Sequence, residues 1–146
     1  MNSALEFYQK AADIFNNDNK GQSANQCLLK IATIASQNMN DLSKASKIFE
    51  EIGLQSLQSN LGKFSAKGYF FQALLCLLAQ GDNVATRIKV EEYKNSDYSF
   101  GSSRECEFVE KLLVAIDSLN ADDFAQVSSL PLSSSLHFRS CYVGLR

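Results

Sequence analysis

The residues that could carry covalent or metal chemistry are few and scattered along this chain. They are four cysteines and one histidine, at Cys27, Cys76, Cys106, Cys141 and His137. No two cysteines form a CxxC pair, so their spacing predicts neither a zinc site nor the disulfide framework of a small secreted protein. A nucleophilic dyad of His137 with a cysteine is the one enzymatic alternative. We expect no metal and no cofactor, and we expect Cys27 and Cys76, which lie in apolar runs, to be buried thiols.

Motifs for phosphate binding and acid–base catalysis are also missing. The sequence contains neither GxxxxGK[ST] nor GxGxxG, the glycine-rich loops that cradle phosphates. Three pairs of carboxylates are adjacent in the sequence, and adjacent side chains on a helix point about 100° apart and therefore do not converge on one substrate atom. These pairs are Glu50–Glu51, Glu91–Glu92 and Asp122–Asp123. The sequence thus predicts a protein that is not an enzyme.

Composition narrows the class of protein further. The 146 residues, with 45% hydrophobic and 21% charged side chains, suffice for one folded domain or a short solenoid. A net charge of -2 argues against a nucleic-acid-binding protein. No signal peptide is recognisable, and the longest apolar stretch, Tyr69–Ala79, falls well short of the roughly 20 residues of a membrane span. We therefore expect a cytoplasmic protein.

Apolar residues recur at helical spacing through most of the chain. A capping box at Ser3–Glu6 predicts the first helix start. Later helices are predicted near Gln22, after Asp41, near Leu57, after Asp82, after Ser102 or Ser103, and briefly over Asp122–Val127. Gly53 and Gly81 are expected to end the third and fourth helices, and residues 95–101 to form a loop. Predicted inner-face residues include Leu61 and Phe64 in the fourth helix, and Val84, Ala85, Ile88 and Tyr93 in the fifth.

A repeat of about 40 residues relates these helices. Ala4-x-x-Phe7-Tyr8 recurs as Ala45-x-x-Ile48-Phe49 and, in part, as Ala85-x-x-Ile88. Ala24-x-x-x-Leu28 recurs as Ala66-x-x-x-Phe70. Two helices per period predict an all-α, right-handed helical-hairpin (tetratricopeptide-like) solenoid of about six to seven helices. An ordinary helical bundle with coincidental repeats is the alternative. In a solenoid the even helices line one face, where four basic residues could dock an acidic partner or simply keep the protein soluble. These are Lys30, Lys63, Lys67 and Arg104.

Four segments resemble, in order and spacing, the soluble NSF attachment protein (SNAP) family. They are Tyr8–Asp13 (YQKAAD), Ser23–Lys30 (SANQCLLK), Phe64–Phe71 (FSAKGYFF), and Ser102–Cys106 (SSREC) followed by KLL. The resemblance implies a solenoid that binds SNARE complexes through a basic concave face. It also implies recruitment of the hexameric ATPase NSF, which takes the syntaxin-type SNARE bundle apart during vesicle-mediated intracellular protein transport. Membrane association would then be peripheral, through the SNAREs.

The resemblance also assigns residues by position. It places Lys30, Lys63, Lys67 and Arg104 on the SNARE-binding surface, and it places Asp82, Asp117 and Leu145 at the NSF-binding end. Each surface lacks one charged residue of the family. Gln26 stands where the family has a lysine for SNARE binding, and Val114 stands where it has an acidic residue for NSF binding.

The resemblance covers the C-terminal half of the family and fades after Phe124. We therefore expect a repeat domain at residues 1–127 and a divergent, serine-rich tail at 128–146, for which disorder is one interpretation. A truncated product that binds SNAREs but does not stimulate NSF is one hypothesis. A generic tetratricopeptide-like scaffold for another partner, such as a short peptide in its groove, is the alternative function.

Overall fold

Seven helices form the part of the chain that the computed structural model describes, residues 2–37 and 41–118. In chain order they are α1 (Asn2–Asn17), α2 (Gly21–Gln37), α3 (Leu42–Leu57), α4 (Lys63–Ala79), α5 (Asn83–Ser96), α6 (Tyr98–Gly101) and α7 (Arg104–Ser118). Helices α1 and α2, α3 and α4, and α5 and α7 pair as three hairpins, with α6 a single turn inside the third. Adjacent hairpins stack through α2 against α3 and through α4 against α5 and α7. The all-α helical-hairpin solenoid is thereby confirmed.

Small side chains occupy equivalent positions in the second helix of each hairpin. These helices, α2, α4 and α7, are the even helices of the stack, because the single turn α6 is not counted. Ala24 of α2, Ala66 of α4 and Cys106 of α7 stand about 40 residues apart, and all three are fully buried. Short side chains at these positions let neighbouring helices approach closely. The repeat that the sequence predicted is therefore the packing period of the structure.

Equivalent positions in the odd helices are buried to very different extents. Ile48 of α3 is 8% exposed, whereas Phe7 of α1 is 72% exposed and Ile88 of α5 is 54% exposed. Helix α3 packs against both α2 and α4, while α1 packs mainly against α2. Burial at this position therefore differs between the three helices, although all three side chains are large and apolar.

Gly53 does not end α3, and that prediction was wrong. It lies buried inside α3, where the ring of Phe70 from α4 packs against it. A Cβ atom at position 53 would lie 2.7 Å from Cε1 of Phe70. The Phe70 ring is itself stacked on Tyr93, with centroids 4.3 Å apart, and meets Phe100 edge-on at 5.8 Å. The glycine therefore permits a close approach of α3 and α4 that a side chain would prevent.

Three other boundaries differ from the predictions. Helix α1 begins at Asn2, so Ser3 stands within its first turn and is not the N-cap. Helix α4 begins at Lys63, because residues 58–62 form a hydrogen-bonded turn. Residues 95–101 are largely helical, since α5 continues to Ser96 and α6 follows directly.

The predicted helix caps at Asp41, Asp82 and Ser103 are confirmed. Their side chains accept hydrogen bonds from the backbone N–H groups three residues later, at 3.3, 2.9 and 3.2 Å respectively. Gly81 adopts a left-handed conformation with φ of 78°. Its N–H donates to the Leu78 carbonyl, and the next N–H donates to the Leu77 carbonyl. This is the glycine-dependent helix end that the sequence predicted.

The predicted inner faces of the fourth and fifth helices were partly wrong. Leu61 and Phe64 are 91% and 81% exposed, because the chain turns at residues 58–62 before α4 begins. In α5, Val84 and Ile88 face solvent and Ala85 is half-buried. The side that packs into the core is the stripe of Thr86, Val90 and Tyr93.

The contact between Gly53 and Phe70 predicts a pair of opposite stability effects. Gly53→Ala should lower the free energy of unfolding by about 1–3 kcal/mol, because the new methyl group collides with a fully buried ring. Gly68→Ala in α4 should instead raise it by up to about 1 kcal/mol, because nothing lies within 4 Å of that position and alanine favours the helix. Urea unfolding followed by circular dichroism measures both. Equal effects of the two substitutions would contradict the proposed packing.

Candidate protein-binding surface

The four basic residues predicted to contact a partner lie on the even helices of all three hairpins. Lys30 lies in α2, Lys63 and Lys67 lie in the first two turns of α4, and Arg104 is the first residue of α7. Lys67 is half-buried and the other three are exposed. Lys63 and Lys67 are four residues apart, so they project from the same side of α4. These four residues are called the even-helix cations below.

The even-helix cations lack acidic partners within the described ranges. None of them forms an ion pair there, and the same holds for Lys10, Lys44 and Lys47 on the odd helices α1 and α3. In α5, by contrast, every basic residue contacts at least one carboxylate; these residues are Arg87, Lys89 and Lys94. Positive charge is therefore neutralised locally on α5 and left unpaired on α2 and α4 within the described ranges.

Lys89 joins the third hairpin to the second. Its Nζ donates to Glu50 of α3 at 2.8 Å and to Glu92 of α5 at 2.7 Å. Hydrogen bonds to these two carboxylates raise the pKa of Lys89 above its ordinary value. The Tyr93 hydroxyl is buried nearby, and burial together with the charges of Glu50 and Glu92 raises the pKa of Tyr93 as well. This lysine therefore has a structural role.

Helices α5 and α7 are held antiparallel by two further ion pairs. Arg87 donates to Asp117, joining the start of α5 to the end of α7, and Lys94 contacts Glu110 toward the opposite ends. Lys94 also donates to Glu91 at 2.9 Å. Hydrogen bonds to Glu110 and Glu91 raise the pKa of Lys94.

The antiparallel pairing brings two of the residues predicted to bind NSF to the same end of the third hairpin. Asp82 precedes α5, and Asp117 lies in the last turn of α7. Both are exposed, yet both already have partners: Asp82 caps α5 and Asp117 pairs with Arg87. Val114 is exposed one turn before Asp117. Leu145 lies outside the described residues, as do His137, Cys141 and the predicted helix at 122–127.

The sequence analysis missed an apolar component of this surface. Leu61 and Phe64 flank Lys63 and are almost fully exposed. Clustered large apolar side chains that remain in water mark interaction sites. The polar run at residues 58–60, followed by Gly62, was the turn signal that could have placed Leu61 outside the helix.

The cysteines of the described residues differ in burial: Cys76 is buried as predicted, whereas Cys27 is only half-buried, so that prediction was wrong. Cys106 is fully buried, and this burial raises its pKa to about 11, so its thiol stays protonated at neutral pH. Within residues 2–37 and 41–118, no three His, Cys, Asp or Glu side chains are grouped closely enough to hold a metal ion. Over the same ranges, none of the helices is both long and apolar enough to cross a membrane.

The stack of three helical hairpins defines the class of fold, a tetratricopeptide-like solenoid. The chain belongs to the soluble NSF attachment protein family, because the family profile described as "Soluble NSF attachment protein, SNAP" matches residues 1–129. The family identified from the four sequence segments is thus confirmed.

Individual relatives agree with the family match. The chain is 37% identical over 124 residues to the alpha-soluble NSF attachment protein of Dictyostelium discoideum, covering 85% of this chain and 42% of that protein. It is 36% identical over 126 residues to the beta-soluble NSF attachment protein of Bos taurus, covering 86% and 42%. A probable vesicular-fusion protein of Schizosaccharomyces pombe is 36% identical over 123 residues, covering 84% and 42%. The match therefore spans about two fifths of the length of these curated relatives.

Replacing Lys89 tests its structural role. Lys89→Met keeps most of the aliphatic stem but loses both ion pairs, so it should lower the free energy of unfolding at neutral pH by about 1 kcal/mol. Since folding raises the pKa of Lys89, its contribution is complete below the ordinary lysine value of 10.5 and is lost as pH rises through the higher folded pKa. The difference from wild type should therefore shrink at alkaline pH in urea titrations. Lys47→Met, at an exposed and unpaired lysine, is the control and should change little at any pH.

Proposed function

We propose that this chain is a non-catalytic adaptor that binds SNARE complexes and attaches the ATPase NSF to them in vesicle-mediated transport. The names of its relatives support this role, since they are NSF attachment and vesicular-fusion proteins. The observation that carries the proposal is the unpaired state of the even-helix cations among the described residues. A basic residue without an internal partner keeps its charge available for an acidic helical bundle.

Binding would combine charge with apolar contact. An exposed ion pair contributes at most about 1 kcal/mol, so the even-helix cations must act together, and several copies around one bundle would add avidity. Leu61 and Phe64 project beside Lys63 and supply large apolar side chains. Such residues contribute most of the binding energy at protein interfaces when a partner covers them.

The acidic end of the third hairpin would face NSF. Asp82 and Asp117 offer negative charge there although each also serves the fold, and Leu145 would add an apolar contact from the tail. The protein would be cytoplasmic and would reach membranes peripherally, through the SNAREs. Because the family profile matches residues 1–129 and the sequence beyond them is not matched, we propose that the chain binds SNAREs but is deficient in stimulating NSF.

Charge reversal tests the SNARE-binding surface. Lys30→Glu combined with Lys67→Glu should weaken binding to an assembled SNARE complex by about tenfold or more, because two attractions become repulsions. Pull-down or anisotropy titration at constant salt measures the change. The matched control is Lys10→Glu combined with Lys47→Glu, which alters the net charge equally on the odd helices α1 and α3.

Two outcomes would contradict the proposed surface: unchanged binding of the Lys30/Lys67 variant, or an equal loss in the control. SNARE disassembly by NSF is measured alongside, with the wild-type chain replacing a full-length relative. We expect binding without disassembly. Disassembly as fast as with the relative would show that the divergent tail still couples to NSF.

Substitution of the exposed apolar pair separates binding from folding. Leu61→Ser combined with Phe64→Ser should leave the free energy of unfolding within about 0.5 kcal/mol of wild type, because both side chains are already in water. The same change should weaken SNARE binding several-fold. Val84→Ser combined with Ile88→Ser removes another solvent-facing apolar pair, 70% and 54% exposed, from α5 and should leave binding intact. A large loss of stability in the Leu61/Phe64 variant would show that these side chains are packed in the core and are not exposed.

A further inference from the structure

The third hairpin leaves three aliphatic side chains in water at one end. Val84 and Ile88 of α5 are 70% and 54% exposed, and Val114 of α7 is 64% exposed. Val84 and Ile88 lie on either side of Arg87 in the sequence, and Val114 lies one turn before Asp117. Because Arg87 and Asp117 form an ion pair across the two helices, the three aliphatic side chains lie close to the same seam between α5 and α7. We call Val84, Ile88 and Val114 the end patch.

The place of the end patch in the stack explains why it is exposed. Lys89 contacts Glu50 of α3 on the side of α5 that faces the second hairpin. At about 100° per residue, Val84 points roughly 140° away from Lys89 around α5. The end patch therefore lies where a further hairpin would stack. Each repeat of a solenoid buries its apolar sides only against a neighbour, so an open end of this kind calls for a covering segment.

The chain itself continues from this end of the stack. Helix α7 ends at Ser118, one residue after Asp117, and the chain runs on to residue 146. An extended chain covers about 3.3 Å per residue, so about ten residues suffice to run back along α7, which is roughly 22 Å long. The divergent tail, residues 128–146, contains large apolar residues, among them Leu136 and Phe138. It therefore has both the reach and the apolar side chains to cover the end patch.

Charge favours the third hairpin over the first two as the docking surface for this tail. Residues 82–118 carry eight acidic and five basic side chains, whereas residues 1–81 carry six acidic and seven basic ones. From residue 124 to residue 146 the sequence contains no acidic residue, and it contains two arginines, Arg139 and Arg146. A positively charged tail is attracted to the acidic hairpin beside it and is repelled by the unpaired lysines of α2 and α4.

We propose that residues 128–146 fold back onto the end patch and shield the acidic end of the third hairpin from NSF. Apolar residues of the tail cover the end patch, and its two arginines approach the exposed carboxylates of Asp82 and Asp117. Leu145 is then held against its own chain and is not available to NSF. The shielding rests on the proposed attachment to NSF and gives a physical reason for the proposed deficiency in stimulating it, whereas the docking of the tail stands without that function.

A nitroxide spin label on Cys141, within the tail, tests the docking in the full-length chain. Cys27→Ser removes the half-buried thiol, and Cys76 and Cys106 are buried, so the label is directed to Cys141. The label should broaden the amide NMR signals of the start of α5 and the end of α7, and it should leave those of α1 sharp. Broadening spread evenly over all helices, or centred on α1 or α2, would overturn the proposal.

Substitution in the end patch should release the tail. Val84→Ser combined with Ile88→Ser should reduce the broadening around Val114 by about fivefold or more, because the tail loses two apolar contacts. The matched control is Phe7→Ser combined with Ile14→Ser, which removes an apolar pair of α1 that is 72% and 59% exposed and should leave the broadening unchanged. Circular dichroism checks that each variant remains helical. Equal broadening in a folded end-patch variant and in its control would contradict the docking.

Reversing the charge of the tail tests the shielding. Arg139→Glu combined with Arg146→Glu should also reduce the broadening, and it should raise the attachment of NSF to the SNARE-bound chain by about threefold or more, because the acidic end becomes accessible. NSF that attaches equally well to the wild-type and the charge-reversed chain would overturn the shielding. A docked tail in a chain to which NSF does not attach in either form would contradict the proposed function and support the docking.

Discussion

The close approach of Phe70 to Gly53 is the contact on which the stack depends. One ring contacts α3 at the glycine, stacks on Tyr93 of α5 and meets Phe100 of α6 edge-on. It therefore connects the second hairpin internally and also connects it to the third. Because protein cores are close-packed, displacing this ring would disturb several helices at once. The position of α4, and with it of Lys63 and Lys67, relative to α3 follows from the same contact.

Charge is divided between structure and recognition along the stack. In the third hairpin, Arg87, Lys89 and Lys94 contact carboxylates that hold α5 to α7 and to α3. On α2 and α4 the lysines have no such partners among the described residues, and an apolar pair projects beside them. A partner docking there displaces water but no internal ion pair, so its attraction is not offset by broken protein contacts. Helix α5 thus has all its cations paired, whereas α2 and α4 keep lysines without internal partners among the described residues.

Local chemistry made much of this fold predictable from the sequence. The caps at Asp41 and Asp82 need only a carboxylate and the N–H three residues on, so the sequence suffices to place them. Gly53 was wrongly predicted to end α3. In the sequence, a glycine after an apolar run looks the same at a helix end and at a close contact between helices, and only the packing of Phe70 against Gly53 distinguishes the two. Ile88 and Tyr93 each fit an apolar stripe of α5, and the stacking of Tyr93 on Phe70 determines which stripe is buried. The pairing of Asp117 with Arg87 joins residues 30 apart and depends on tertiary structure.

The sparse packing of α1 has a consequence for dynamics. Ala12 is the only fully buried side chain among residues 3–17, whereas α3 buries seven of its residues. Local opening free energies follow buried contacts, so amide protons of α1 should exchange with solvent far sooner than those of α3 and α4. The turn between α1 and α2, where Asn19 takes a left-handed conformation with φ of 56°, is then the natural hinge. The free energy of local unfolding is therefore expected to be lower for α1 than for α3 and α4, so that α1 unfolds locally while those helices stay folded.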